Sequence, residues 1–96
     1  MSNFPVVCGF EGDYGFKVLM VDRSSTMDDV CAVAAELLAG VVVRPVAPTE
    51  RLRVRLPDAA EPLPPTLTVA EAGFIELETI EIYREPRVRA AVRNDA

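Results

Sequence analysis

Arginine and aliphatic residues alternate without a break over residues 51–56. Successive side chains of a strand point to opposite faces of a sheet, so this pattern predicts a strand. Leu52, Val54 and Leu56 would then face the protein interior, and the three arginines would face outward.

Three other segments also predict strands. Phe4–Phe10 is apolar and rich in valine, and residues 15–22 follow it after a glycine-containing turn that is short enough for a hairpin. The last strand is predicted over residues 78–83, where isoleucines alternate with Glu81 and Tyr83. The sheet therefore opens with an antiparallel pair and is completed late in the chain.

A helix is predicted over residues 27–39. Thr26 is a hydroxyl-bearing cap, and Asp28 and Asp29 complement the positive end of the helix dipole. Apolar residues recur at helical spacing, and Gly40 stands where a helix commonly ends. The apolar side of this helix needs a sheet to cover it.

The remaining segments predict connections. Residues 41–48 hold two prolines and predict an extended connection, and residues 57–65 hold four prolines and predict a loop. Residues 66–69 suit a short edge strand, and residues 70–73 suit one helical turn closed by a glycine.

This order of elements predicts the fold class. A hairpin, a capped helix and further strands let one sheet fold across one helix, which is the α+β layout called β-grasp or ubiquitin-like. We expect a mixed sheet of four to five strands packed on one helix. The domain is expected to span residues 1–85, followed by a polar tail over residues 86–96.

Composition narrows the class of partner. Half of the 96 residues are apolar and 26% are charged, which suits one packed domain. The net charge of −5 disfavours nucleic acid and anionic membranes and favours a protein partner. No apolar run approaches the roughly 18 residues of a membrane span and the start is unlike a leader, so we expect a cytoplasmic protein.

Residue types that carry catalysis are missing or have a structural explanation. The chain has no histidine, which excludes Ser-His and Cys-His machinery and the Glu-x-x-His pairs of a bundle-type di-iron site. An iron–sulfur cluster needs four cysteines, whereas Cys8 and Cys31 are two, 23 positions apart, and are interpreted as buried thiols. We predict no catalytic residue, no cofactor site and no metal site.

Outward-facing residues form a candidate partner interface. Three guanidiniums on one sheet face can hold a partner's carboxylates, or they can be paired with Glu81 or Glu78 of the neighbouring strand. Val18 and Met20 leave the second predicted strand apolar on both faces, so either a partner covers its outer face or these side chains are exposed by chance. Arginines of the tail could clamp it onto an acidic partner. The candidate interface consists of Val18, Met20, Arg51, Arg53, Arg55, Tyr83, Arg87 and Arg89.

Motifs along the chain resemble two known kinds of protein. The segments that resemble ubiquitin are Thr26-Met27-Asp28-Asp29-Val30, Thr68-Val69-Ala70-Glu71-Ala72-Gly73-Phe74 and Thr79-Ile80-Glu81-Ile82. Over roughly residues 4–85 the chain more closely resembles the gamma subunit of toluene and alkene (isoprene-type) monooxygenase hydroxylases. The residues that carry this resemblance are Phe4-Pro5-Val6, Phe10-Glu11, Val21-Asp22, Ser25-Thr26-Met27-Asp28, Arg44-Pro45-Val46-Ala47-Pro48, Arg51-Leu52-Arg53-Val54-Arg55, Leu67-Thr68-Val69-Ala70-Glu71-Ala72-Gly73 and Glu78-Thr79-Ile80-Glu81-Ile82.

The second resemblance implies a non-catalytic subunit of a soluble di-iron monooxygenase that oxidises small aromatic or alkene hydrocarbons. Such a subunit docks on an alpha subunit that holds the di-iron centre, beside a beta subunit, in a paired (alpha-beta-gamma)2 assembly. The resemblance also implies a Rieske ferredoxin, a reductase and an effector protein as further components.

Two other functions are weighed against this one. A ubiquitin-like modifier or sulfur carrier needs a terminal Gly-Gly, whereas this sequence ends Arg93-Asn94-Asp95-Ala96, which disfavours that mechanism. A free-standing regulator that binds a hydroxylase reversibly differs from a permanent subunit only in its residence time.

Overall fold

The computed structural model describes residues 3–13, 15–41 and 43–86 of the chain. Each described element overlaps a segment for which the sequence predicts that type of structure. In chain order these elements are β1 (Phe4–Phe10), β2 (Lys17–Val21), α1 (Met27–Leu38), β3 (Glu50–Arg55), α2 (Val69–Ala72) and β4 (Glu78–Pro86).

The described strands form one mixed sheet in the order β2-β1-β4-β3. β1 pairs antiparallel with β2 and parallel with β4, and β3 pairs antiparallel with β4. α1 packs across one face of this sheet and contacts β2 and β3. The predicted fold class, an α+β β-grasp with a mixed sheet on one helix, is confirmed.

Alternation along the strands places every second side chain between the sheet and α1. Val6, Cys8 and Ile80 of the sheet have no exposed surface, and Val30 and Ala34 of α1 are equally enclosed. Burying one aliphatic side chain of the size of valine or isoleucine stabilises a fold by roughly 1.5–3 kcal/mol. The core therefore fixes which face of each strand points away from the helix.

Both described helices begin at a threonine that forms a capping box. The Thr26 hydroxyl accepts from the Asp29 N–H at 3.1 Å, and the Asp29 carboxylate accepts from the Thr26 N–H at 3.0 Å. Thr68 and Glu71 repeat these two bonds at α2, and Gly73 ends α2 with a left-handed φ of 75°. Neither described helix has the length and apolar character needed to cross a membrane.

Some predicted boundaries were wrong. Residues 66–69 do not form a strand, because Thr68 meets Thr26 in an isolated antiparallel bridge and its side chain caps α2. β4 does not end at Tyr83 but continues to Pro86, because its last residues pair with the start of β3. The sheet consequently has four strands in the described part of the chain, the lower of the two numbers expected.

A buried guanidinium joins the end of β4 to two connections. The Arg84 side chain is 6% exposed and lies 5.3 Å from the centroid of the Phe10 ring. It donates to the backbone oxygen of Glu11 at 3.1 Å and to that of Arg44. Glu50 accepts two bonds from Arg44, at 3.0 and 2.8 Å, and its Oε1 is 3.8 Å from Arg84 Nε. This cluster holds the connection before β3 against the sheet.

The pKa of Glu50 makes part of the stability depend on pH. Hydrogen bonds from Arg44 and from the Ala47 N–H lower this pKa from 4.5 to about 2. A pKa lowered in the folded state stabilises the fold above the unfolded value, and this contribution is lost as the pH falls from 4.5 through about 2. For Glu50→Gln we expect a smaller loss of unfolding free energy over this interval, measured by urea titration at a series of pH values. If the unfolding free energy changed with pH in the same way in both proteins, the lowered pKa of Glu50 would be contradicted.

Candidate functional site

The candidate site is the outer face of the sheet, which is the face opposite α1. Its β1 and β2 side, the apolar half, consists of Pro5, Val7, Phe16, Val18 and Met20. Its β3 and β4 side, the charged half, consists of Arg53, Arg55, Glu81, Tyr83 and Glu85. The outer face thus brings together five of the eight residues of the predicted interface. Arg51 lies on β3 as well, but its guanidinium turns toward the Asp28 carboxylate of α1. The other two, Arg87 and Arg89, lie with the rest of the predicted tail after Pro86 outside the described residues.

The apolar half leaves large side chains in contact with solvent. Phe16 is 64% exposed, Val18 57% and Met20 49%. Val18 lies opposite Val7 and Met20 lies opposite Pro5 in the β1–β2 pairing, so these side chains form a continuous strip. The alternate residues of β2 point into the core. The prediction that the second strand is apolar on both faces is confirmed.

Phe16 joins this strip because Gly9 has no side chain. A Cβ on Gly9 would lie 2.9 Å from Cε1 of the Phe16 ring, a separation that real Cβ atoms do not show. A shallow cavity of about 320 Å³ lies beside the ring, between Phe16 and Arg55, where the two halves meet. Phe16 is not among the predicted interface residues, although its spacing of two residues from Val18 indicates that both share a face.

Two of the three arginines are paired within the sheet. Arg55 donates from Nε to Glu81 at 2.9 Å, and its guanidinium lies 4.7 Å from the centroid of the Tyr83 ring. Arg53 donates to Glu85 at 3.1 Å and to the backbone oxygen of Leu63 at 3.4 Å. The alternative in which the neighbouring strand neutralises the arginines is confirmed for Glu81.

Glu78 does not take the predicted role. Its carboxylate accepts a hydrogen bond from the Ile75 N–H at 3.2 Å, at the start of β4. Glu85 pairs with Arg53 instead, because β4 is longer than predicted and reaches this position. Arg51 has only a loose ion pair, with 3.7 Å between its Nη2 and the Asp28 carboxylate of α1. That distance is too long for a hydrogen bond.

Both cysteines are buried and unpaired, as predicted. Burial is the main cause that raises the pKa of the Cys8 and Cys31 thiols to about 12, so both stay protonated at neutral pH. Within residues 3–13, 15–41 and 43–86, His, Cys, Asp and Glu side chains form no group of three or more that could hold a metal ion.

Fold and site together define a β-grasp domain with a half-apolar sheet face that none of the described segments covers. Residues 3–83 match the family described as "Toluene-4-monooxygenase system protein B (TmoB)". The chain is also 37% identical over 86 residues to "Toluene-4-monooxygenase system, hydroxylase component subunit gamma" of Ectopseudomonas mendocina, which covers 88% of this chain and 99% of that protein. The chain belongs to the toluene-4-monooxygenase system protein B family, and the predicted likeness to hydroxylase gamma subunits is confirmed.

Two solved structures are similar to this chain. One is a chain of the "Toluene 4 monooxygenase HD Complex with Inhibitor 4-Bromobenzoate", with a TM-score of 0.79 and 32% identity over 88% of this chain and all of that one. The other is "Caldiarchaeum Subterraneum Ubiquitin", with a TM-score of 0.63 and 16% identity over 90% of this chain and 98% of that one. The second likeness concerns the fold alone and confirms that it is ubiquitin-like.

The two kinds of arginine pair are expected to differ in energy. The Arg53 side chain is 17% exposed and hydrogen-bonded to Glu85, whereas Arg51 and Asp28 are 35% and 61% exposed and farther apart. The test is two double-mutant cycles measured by urea unfolding. One cycle combines Arg53→Gln with Glu85→Gln, and the other combines Arg51→Gln with Asp28→Asn. We expect a coupling free energy of about 0.5–1 kcal/mol for Arg53 with Glu85 and about zero for Arg51 with Asp28. Equal or reversed coupling energies would be inconsistent with the observed geometry.

Proposed function

We propose that this chain is a non-catalytic gamma subunit of a cytoplasmic, multicomponent di-iron monooxygenase hydroxylase that oxidises small aromatic or alkene hydrocarbons. The observation that carries the proposal is the 37% identity, over nearly the full length of both chains, to the gamma subunit of a toluene-4-monooxygenase hydroxylase component. The inhibitor complex of the structural relative, which contains a bromobenzoate, supports an aromatic substrate class.

The chemistry of the chain supports a role without catalysis. The sequence contains no histidine, and the di-iron carboxylate centres of helix bundles take a histidine from each Glu-x-x-His motif. The two thiols are held protonated by burial, and a protonated thiol is a poor metal ligand and nucleophile. The di-iron centre is therefore assigned to the alpha subunit, and the role of this chain is to stabilise the alpha and beta subunits in a paired assembly. A Rieske ferredoxin, a reductase and an effector protein complete the proposed system.

The outer face is the proposed docking surface, and its two halves have different roles. Covering the apolar half removes exposed hydrocarbon from water at roughly 25 cal/mol per Å², which favours association. The charged half lies at the side of this strip, where Arg55 and Tyr83 stack and the terminal nitrogens of Arg55 have no hydrogen-bond partner among the described residues. These nitrogens would bind a partner's carboxylates at the rim of the docking surface. Arg51, whose guanidinium turns toward α1, and Arg87 and Arg89 remain predicted contacts from the sequence alone.

Co-expression tests the assembly. We expect this chain to co-purify stoichiometrically with a large protein that contains two Glu-x-x-His motifs, and to remain bound through gel filtration. Hydrocarbon oxidation by that complex should fall when this chain is omitted, because the alpha and beta subunits lose a stabilising contact. A chain that runs free, with the hydroxylase equally stable and active without it, would refute the proposal. Dissociation during gel filtration would favour a reversible regulator over a permanent subunit.

Met20→Asp tests the apolar half. A charge at this position should weaken binding to the hydroxylase at least about tenfold, because the aspartate would be buried without a partner. Leu37→Asp is the matched control, since Leu37 is 54% exposed and Met20 is 49% exposed, but Leu37 lies on α1 away from the sheet face. Affinity is measured by titration, and thermal unfolding checks that both variants fold. Equal affinities of the two variants would show that Met20 does not lie in the interface.

A further inference from the structure

The two edges of the described sheet differ in how they are covered. β2 and β3 are its outer strands, so each has one row of backbone groups that no neighbouring strand of the sheet can pair. At the β3 edge the chain covers itself, because the Leu63 N–H donates to the Val54 oxygen at 2.7 Å. Arg53 fastens the same loop by donating to the Leu63 oxygen. No described segment pairs with the β2 edge in this way.

The hydrogen bonds of β1 show which backbone groups of β2 point into its open edge. Pro5 accepts from the Leu77 N–H at 2.8 Å, and Glu11 donates to the Ile82 oxygen at 2.9 Å, so odd-numbered residues of β1 point their backbone groups toward β4. Even-numbered residues of β1 then point toward β2, opposite the odd-numbered residues of that strand. It follows that the N–H and C=O groups of Val18 and Met20 point away from β1, into the open edge.

The side chains of Val18 and Met20 are exposed, as their outward-pointing backbone groups are. Val18 and Met20 are the two β2 residues whose apolar side chains lie exposed on the outer face. Edge strands are normally protected by charges, prolines or bulges, and β3 has three arginines. β2 has only Lys17, whose Nζ is paired with Asp13 at 2.9 Å. An open apolar edge of this kind is the site that strand addition uses.

We propose that the β2 edge binds an extended segment of the hydroxylase's large subunit as an added strand, which rests on the proposed function above. Backbone bonds to Val18 and Met20 would fix the register, and apolar side chains at alternate positions of the segment would extend the strip on the outer face. A second copy of this chain is a poorer occupant. Pairing two five-residue β2 strands would bury far less than the roughly 800 Å² per partner of a stable interface. A larger protein can add surface beyond the edge, and the structural relative is a chain of a complex.

Hydrogen exchange tests this pairing on the unaltered protein. We expect the Val18 and Met20 amides to exchange quickly in the free chain and at least about tenfold more slowly in the co-purified hydroxylase. The Leu19 and Val21 amides are the internal control, since they already bond to β1 and should be protected in both states. Unchanged exchange at Val18 and Met20 in an intact complex would overturn the strand addition but leave the proposed function standing.

A proline substitution separates the contribution of the Met20 backbone to binding from that of its side chain. Met20→Pro removes an N–H that points into the open edge, so it deletes no bond to β1. Met20→Ala is the matched variant, because it loses the side chain and keeps the N–H. We expect Met20→Pro to bind the large subunit at least about tenfold more weakly than Met20→Ala. Equal affinities would overturn the proposal.

The remaining outcomes are also decisive. If Met20→Pro does not fold, the exchange comparison on the unaltered chain decides. If the free chain protects its own Val18 and Met20 amides as its concentration rises, the occupant is a second copy and the proposal is wrong. If the unaltered chain forms no complex with a hydroxylase, the proposed function fails and this inference fails with it.

Discussion

Burial of one sheet face against α1 is the interaction on which the rest of this structure depends. Val6, Cys8 and Ile80 meet Val30 and Ala34 in a core from which water is excluded. Because side chains alternate along a strand, assigning one face to this core sends every other residue to the outer face. α1 covers only the inner side of the sheet, so the outer face must either be stable in water or be covered by something other than the described elements.

The two halves of the outer face meet this requirement differently. On β3 and β4, arginines and glutamates neutralise one another across the strands, so that half is stable in water as it stands. On β1 and β2, the opposed residues are all apolar, and neither a charge nor a further element of the described chain covers them. A strip of exposed hydrocarbon beside an open edge favours association, and this makes the apolar half the more informative part of the predicted interface.

Family membership and the chemistry of the side chains support the same proposed role. Thiols that burial keeps protonated and a sequence without histidine suit a subunit that acts through contact. The contribution that we propose for this chain is to hold the larger subunits of an oxygenase in the arrangement that supports turnover. The capped helices and the buried Arg84 tie the described elements to one another.

The sequence by itself determined the local elements, including the hairpin, the capped helix, the glycine that ends α2 and the alternation on β3. These features depend on residues a few positions apart, whose geometry follows directly from backbone periodicity. Only the tertiary structure decided that Glu85 pairs with Arg53 and that β2 is left with an open edge in the described part of the chain. Arg53 and Glu85 are 32 residues apart, and Arg55 and Glu81 are 26 apart. Such pairs form only once the register of two distant strands is fixed, and packing of the shared core fixes it.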